Sequence, residues 1–313
     1  MKLSPYIKLN RIEFVVTYHC TGRCIHCSVG DEHSVPEHPH VRIAEAVHAI
    51  GRLSEHSPLT SVMTFGGEPL LYPDVVCSIH EAAQALGIAT RQLITNGYFS
   101  RDEARIADVA KTLKKSGVNN LLLSVDAFHQ QTIPLEPVHC FAKCAKEAGI
   151  EKLRLSPAWL VNKEHPNMYN KQTAEFLAAF EDLDIPTAHG NDIFMAGNAA
   201  KHLAEYYPAP DLDLKACCGS LPYTEPLNHI TSLSIVPNGD VKICNFTIGN
   251  IYKEDILEIV ARYTPYGNEY MQAVLEGGAS GLLKIAQKNH LATDVTKCYS
   301  VCDLCKQISG QNT

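Results

Sequence analysis

The sequence predicts an α/β fold, a parallel sheet or barrel covered by helices, followed by a smaller and differently built C-terminal region. Three observations predict it. From residue 11 to about 190, short β-branched or apolar runs alternate with longer amphipathic ones, the pattern of repeated strand–helix units. Polar and Gly-rich residues follow the end of each short run. After about residue 195 that rhythm stops.

The elements follow in order. RIEFVVT (11–17), LTSVMTF (59–65), TRQLITN (90–96), NNLLLSVD (119–126) and KLRLSPA (152–158) read as strands. Between them, residues 42–53, 74–86, 101–115, 137–148 and 173–183 carry apolar side chains at helical spacing. Strand is thus followed by helix five times, and a sixth short strand is expected at Ile185 to Ala188. Successive parallel strands need crossovers, which the helices supply. Past YYPAP, Asn238-Gly239 lies between two alternating runs and signals a tight hairpin. A helical stretch near 253–290 precedes the last cysteines. A domain boundary is expected near residue 200, giving units 1–200 and 201–313.

Composition narrows the function. The 313 residues are 45% hydrophobic and 19% charged, which excludes disorder as the main state. Lys and Arg number 27 against 34 Asp and Glu, a formal charge of −7, so a nucleic-acid backbone is not the expected partner. No apolar run approaches the roughly 20 residues that span a bilayer, and the N-terminus lacks a signal-peptide core, so a cytoplasmic protein without a membrane partner is expected. In a reducing compartment, 12 cysteines point to metal or cluster chemistry rather than to disulfides.

The cysteines are grouped. Cys20, Cys24 and Cys27, in CTGRCIHC, place three thiols in eight residues directly after the first strand. Three protein ligands leave one position open for a small molecule, whereas a closed structural site takes four. A zinc loop borrowing His19 or His26 is the alternative. At the end of the second strand stands Gly66-Gly67-Glu68-Pro69, and the later strands run into Asn96-Gly97, Ser124 and Asp126, and Ser156-Pro157. In α/β sheets and barrels, function gathers at these carboxyl ends.

With C-x3-C-x2-C after the first strand and GGEP after the second, the sequence resembles the radical S-adenosylmethionine superfamily. The resemblance covers about the first 190 residues and implies a partial (β/α)6 TIM-like barrel. It implies a 4Fe-4S cluster on Cys20, Cys24 and Cys27 that binds S-adenosylmethionine and yields a 5'-deoxyadenosyl radical for hydrogen abstraction. Gly66, Gly67, Glu68, Pro69, Asn96, Ser124, Asp126 and Ser156 are the expected cofactor-binding residues, with a helix N-cap as the rival role for Ser124, Asp126 and Ser156. His26 stands where the family more often has an aromatic residue. His129 reads as a solvated loop residue.

Cys218-Gly219, Gly239-x4-Cys244, Gly249-Asn250-Ile251 and Cys298-x3-Cys302-x2-Cys305 resemble the twitch and SPASM extensions, which implies an α+β cluster-binding region. A single auxiliary 4Fe-4S cluster is expected on Cys218, Cys244, Cys302 and Cys305, since the hairpin places Cys244 and the C-x2-C pair acts as a unit. A structural zinc on the same thiols is the alternative. Adjacent side chains in an extended segment point to opposite faces, so Cys217 is assigned away from the cluster, as a buried thiol or a hydrogen donor. Cys77, Cys140 and Cys144 read as small buried hydrophobes on helices.

Family resemblance favours modification of a peptide or protein substrate, with an electron donor such as flavodoxin or ferredoxin. Epimerisation would need a returning thiol after the hairpin cysteine, where Asn245 stands instead. A small metabolite in cofactor biosynthesis, or a scaffold that only binds clusters, are the alternatives.

Overall fold

The structure is a computed structural model that describes residues 3–29 and 39–310. Its main sheet has eight strands: β1 (Ile7–Thr17), β2 (Ser61–Gly66), β3 (Thr90–Thr95), β4 (Asn120–Leu123), β5 (Lys152–Leu155), β8 (Ile230–Ile235), β9 (Asp240–Ile243) and β10 (Phe246–Asn250). A separate two-stranded ribbon joins β6 (Ala158–Trp159) to β7 (Asn191–Asp192). The main sheet runs β10-β9-β8-β1-β2-β3-β4-β5 and is not closed. β1 to β5 are parallel neighbours, joined by crossovers through α1 (Ile43–Ser54), α2 (Pro73–Ala85), α3 (Glu103–Lys115), and α4 (Ala127–Gln130) with α5 (Leu135–Glu147). This is an α/β fold of the partial-barrel kind.

Strand β1 is the axis of the core. It lies between β2 and β8, and its Ile12, Phe14 and Val16 are fully buried. Burying each such side chain contributes about 1.5–3 kcal/mol. Helix α1 packs on α2, α2 on α3 and α3 on α5, a row whose apolar stripes (Ile50, Leu53, Ile79, Leu113, Phe141) cover the sheet.

Elements fall within a few residues of expectation in most cases, and three departures have physical causes. Strand β4 stops at Leu123, because Asp126 turns its carboxylate onto the N–H groups of Phe128 and His129 and starts α4. The expected sixth strand at 185–188 reduces to one bridge, Leu155 to Thr187. Pro186 has no N–H to donate; its carbonyl accepts from Leu155 N at 3.0 Å, and Ala188 N donates to Leu155 O at 2.7 Å. The helix expected over 173–183 is displaced to α6 (Met168–Ala178), with a 3₁₀ turn at Glu181–Leu183.

Beyond α7 (Gly197–His202), the expected hairpin forms. Gly239, at φ +85°, turns β8 into β9, and its N–H donates to Val236 O at 2.8 Å. This hairpin extends the same sheet, since β8 pairs in parallel with β1 (Ile7 opposite Ile230, Phe14 opposite Ile235). The sheet therefore runs across the boundary expected near residue 200. The helical stretch at 253–290 is two helices, α8 (Ile256–Arg262) and α9 (Glu269–Lys288), and α9 breaks at Gly278. The last cysteines lie at and within α10 (Val301–Ser309), which packs on α9.

Candidate active site

Where β1 ends, the chain leaves the sheet and carries its three thiols across the carboxyl ends of the strands. GGEP fixes this loop. Gly67 N donates to Thr17 O at 2.8 Å and Glu68 N to His19 O at 2.7 Å. A Cβ on Gly67 would stand 2.1 Å from His19 O, and one on Gly66, at φ +137°, 2.4 Å from Thr17 O. Only glycine permits so close a backbone approach.

Cys20, Cys24 and Cys27 line one cavity of about 400 Å³. Gly66, Gly67, Asn96, Ser124, Asp126 and Ser156 line it with them, so strand ends far apart in sequence do converge. Glu68 and Pro69 are not among its lining residues. Glu68 is fully buried and holds the ends of β2 and β3 together: its carboxylate accepts from Thr95 Oγ1 at 2.7 Å, Asn96 N at 2.8 Å and Leu70 N at 2.9 Å. Burial nonetheless pushes this carboxyl up to about 7, the hydrogen bonds pulling the other way. Pro69 opens a 3₁₀ turn.

The other rim residues divide by role. Asn96 reaches the cysteine loop, its Nδ2 lying 3.6 Å from Cys20 Sγ and 3.3 Å from Thr21 Oγ1. Ser124 N donates to Thr95 O at 2.9 Å, and Ser156 Oγ accepts from Asn191 Nδ2 at 3.3 Å. Asp126 takes its rival role, as N-cap of α4. Its Oδ1 accepts from Phe128 N and His129 N at 3.0 and 2.9 Å, and its Oδ2 from Ala158 N at 3.0 Å. Burial opposes this charge, but His129 and the surrounding donors hold the carboxyl down at about 2.

His129 is the residue the sequence reading missed. It is no solvated loop residue: its side chain is 17% exposed, and it lines the cavity with Nδ1 2.8 Å from Asp126 Oδ2. Asp-x-x-His directly after a strand is the signal that would have found it, because an N-cap carboxylate faces the side chain three residues on. The His26 ring meets it edge-on, ring centroids 4.9 Å apart, and packs on Phe128 at the same distance. Its Nδ1 is buried without a hydrogen-bond partner, and burial pushes the ring down to about 4.

The donor set fits a cluster. Burial raises two of these thiols: Cys20 to about 11, with Glu68 and Cys27 adding to it, and Cys24 above the ordinary range. A bound metal reverses this logic, because its positive charge compensates buried thiolates. The orphaned His26 nitrogen on the same wall is a further unmet polar group that a cofactor would satisfy.

In the C-terminal region Cys218, Cys244, Cys302 and Cys305 face one another. Each of the last three is raised first by burial and then by neighbours in this set, Cys244 to about 11 and Cys302 and Cys305 to about 12. Among the described residues, no three of these sulfurs lie mutually within 4.8 Å. Cys298 stands apart, its thiol donating to Asp294 O at 3.5 Å and accepting from Gln307 Nε2 at 3.3 Å. Cys217 is exposed, donates to Lys215 O at 3.3 Å and does not line the cavity. Cys77 is buried in α2, and Cys140 and Cys144 are half-buried on α5.

Among the described residues no helix is long and apolar enough to cross a membrane.

Comparison with known proteins agrees with this geometry. GTP 3',8-cyclase of Saccharophagus degradans is 26% identical over 182 residues, 56% of this chain and 50% of that protein. GTP 3',8-cyclase of Listeria monocytogenes is 23% identical over 258 residues, 80% of this chain and 72% of that protein. The chain spans half of the Saccharophagus protein and 35% of the corresponding Limosilactobacillus fermentum protein. Among solved structures, Streptococcus suis SuiB bound to precursor peptide SuiA superposes with a TM-score of 0.54 at 15% identity, over 83% of this chain and 66% of that one. AdoMet-bound anSMEcpe superposes with a TM-score of 0.51 at 14% identity, over 80% of each chain. The Radical SAM superfamily profile matches residues 14–189, which take in both CTGRCIHC and GGEP, and the chain belongs to that superfamily.

Proposed function

We propose that the chain is a radical enzyme that removes a hydrogen atom from a small metabolite, in a reaction of the kind used to build cofactors. The likeness to proteins named GTP 3',8-cyclase carries the choice of a metabolite over a peptide. Cys20, Cys24 and Cys27 would hold a 4Fe-4S cluster with one iron left for S-adenosylmethionine. When bound, these groups supply the electron and the carbon-centred radical that hydrogen abstraction needs.

The chain's own residues position and seal. Gly66 and Gly67 let the second strand's end approach the cysteine loop. Asn96, Ser124 and Ser156 offer hydrogen-bonding groups to a nucleoside and an amino acid. Val15, Phe65, Ile94 and Ile193 give the cavity apolar walls that keep water out. Cys218, Cys244, Cys302 and Cys305 would hold an auxiliary 4Fe-4S cluster in the 201–313 unit. A donor such as flavodoxin or ferredoxin would deliver electrons.

A second reading, modification of a peptide or protein, is favoured by the likeness in fold to SuiB, which binds a precursor peptide. Size-fractionated cell extract separates the two. The reduced enzyme is given S-adenosylmethionine and each fraction, and 5'-deoxyadenosine is measured. Stimulation by the low-molecular-weight fraction is expected; stimulation confined to the peptide fraction would replace the metabolite reading with the second one. Formation of S-adenosylhomocysteine would point to methyl transfer.

A further inference from the structure

Asn96 is held from three sides at the end of β3. It is 5% exposed, its backbone N–H donates to Glu68 Oε2 at 2.8 Å, and its side-chain Oδ1 accepts from Tyr98 N at 2.8 Å. A backbone N–H only donates, so the end of the amide that meets Tyr98 is the oxygen, and the NH2 end is turned to the cysteine loop. There Nδ2 donates to Thr21 Oγ1 at 3.3 Å and to Cys20 Sγ at 3.6 Å. Both hydrogens of the amide thus have an acceptor, and an asparagine amide carries them without titrating. Cys20 Sγ accepts a second N–H, that of Gly22, at 3.4 Å. That donor is backbone and belongs to the loop itself, whereas Asn96 comes from another strand, 76 residues on.

Each N–H turns the positive end of its dipole toward the sulfur. An electron added to an iron–sulfur cluster makes its sulfur ligands more negative, so a donor there stabilises the reduced form more than the oxidised one and raises the reduction potential. We propose that Asn96, aimed by Glu68 and Tyr98, raises the reduction potential of the first cluster by donating a hydrogen bond to the Cys20 sulfur. This rests on Cys20, Cys24 and Cys27 holding that cluster. Toward the cluster Asn96 is a positioning residue, acting through Cys20, and the second lone pair of its Oδ1 stays open to a ligand in the cavity.

The test uses the anaerobically reconstituted full chain, reduced and followed by electron paramagnetic resonance. The signal that changes on adding S-adenosylmethionine identifies the first cluster; the other serves as internal control. With asparagine side-chain amides enriched in the heavy nitrogen isotope, pulsed spectra of the wild type are expected to show that nitrogen coupled to the reduced first cluster. Asn96→Gln, whose amide is unlabelled, should lose the coupling. In redox titrations Asn96→Ala is expected to keep wild-type iron and to move the first cluster to a more negative midpoint while the second stays put. Asn96→Gln, which retains an amide donor, is expected to recover part of the shift. Absence of the coupling in the wild type, or its persistence in Asn96→Gln, would overturn the inference. So would an unmoved midpoint in Asn96→Ala with iron retained, and so would loss of the first cluster from both variants, which would make the residue structural. Should Asn96→Ala alone lose that cluster, the coupling in the wild type decides. Failure of the wild type to assemble the cluster at all would instead overturn the underlying ligand assignment.

Discussion

Gly278 lies against the carbonyl of Ala216, so close that a Cβ on Gly278 would stand 2.3 Å from that oxygen. The glycine sits at φ +54° and ψ −141°, which breaks α9. The break frees two N–H groups: Ala279 N donates to Ala216 O at 3.0 Å and Ser280 N to Leu214 O at 3.3 Å. Ser280 Oγ adds a bond to Leu214 O at 2.8 Å. The segment so gripped runs directly into Cys217 and Cys218.

Gly278→Ala is therefore expected to displace Cys218 and to lose about four iron per chain, one cluster's worth. Backbone strain of about 1–3 kcal/mol at such a φ comes on top of the clash. Gly277→Ala is the control, since a Cβ there meets nothing within 4 Å. It should keep all its iron. Iron and sulfide analysis of the two variants decides the point, and equal iron in both would refute it.

The auxiliary ligands are expected to separate by mutation in the same assay. Cys218→Ala, Cys244→Ala, Cys302→Ala and Cys305→Ala should each lose about four of about eight iron. Cys298→Ala and Cys217→Ala should lose none, because their thiols bond to Asp294 and Lys215 carbonyls rather than facing the other four. Zinc recovered in place of iron would restore the structural-zinc alternative.

Glu68 is expected to matter for stability before it matters for chemistry. Glu68→Ala would leave Thr95 Oγ1, Asn96 N and Leu70 N without this acceptor, at about 1–3 kcal/mol for each donor left buried and unpaired. Glu68→Gln keeps an acceptor and should be milder. Thermal unfolding of the two variants measures the order, and a Glu68→Ala protein melting with wild type would show that water replaces the carboxylate.

His80 gives a pH dependence with a definite sign. It is fully buried in α2, bonded through Nε2 to Thr64 Oγ1 at 2.9 Å, and burial pushes it down to about 3. Its neutral form is the native one. As pH falls below 6.5 the unfolded chain gains a proton that the folded chain refuses, so stability falls, by up to about 1.4 kcal/mol per pH unit, until about pH 3. His80→Gln should flatten this component of the slope between pH 6.5 and 4 in denaturant titrations. An unchanged slope would assign the acid sensitivity to other groups.

What could be read in the sequence was whatever is encoded within one strand–helix unit. CTGRCIHC and GGEP were legible because each follows its strand directly, and a strand's end has a fixed place in a parallel sheet. The Asn238-Gly239 turn was legible for a similar local reason: that dipeptide is suited to a tight hairpin.

Other features depend on partners far away in the chain, and no local pattern holds them. The pairing of β8 with β1 joins residues more than 200 apart and carries the C-terminal hairpin into the core sheet. The placement of His129 was decided by Asp126, whose carboxylate also accepts from Ala158 N, a contact across 32 residues. Sequence alone determined the superfamily motif and the order of its elements, because these need only local spacing. Tertiary packing decided which polar residues are buried against which donors, because burial and pairing, rather than residue type, fix whether a carboxylate caps a helix or meets a ligand.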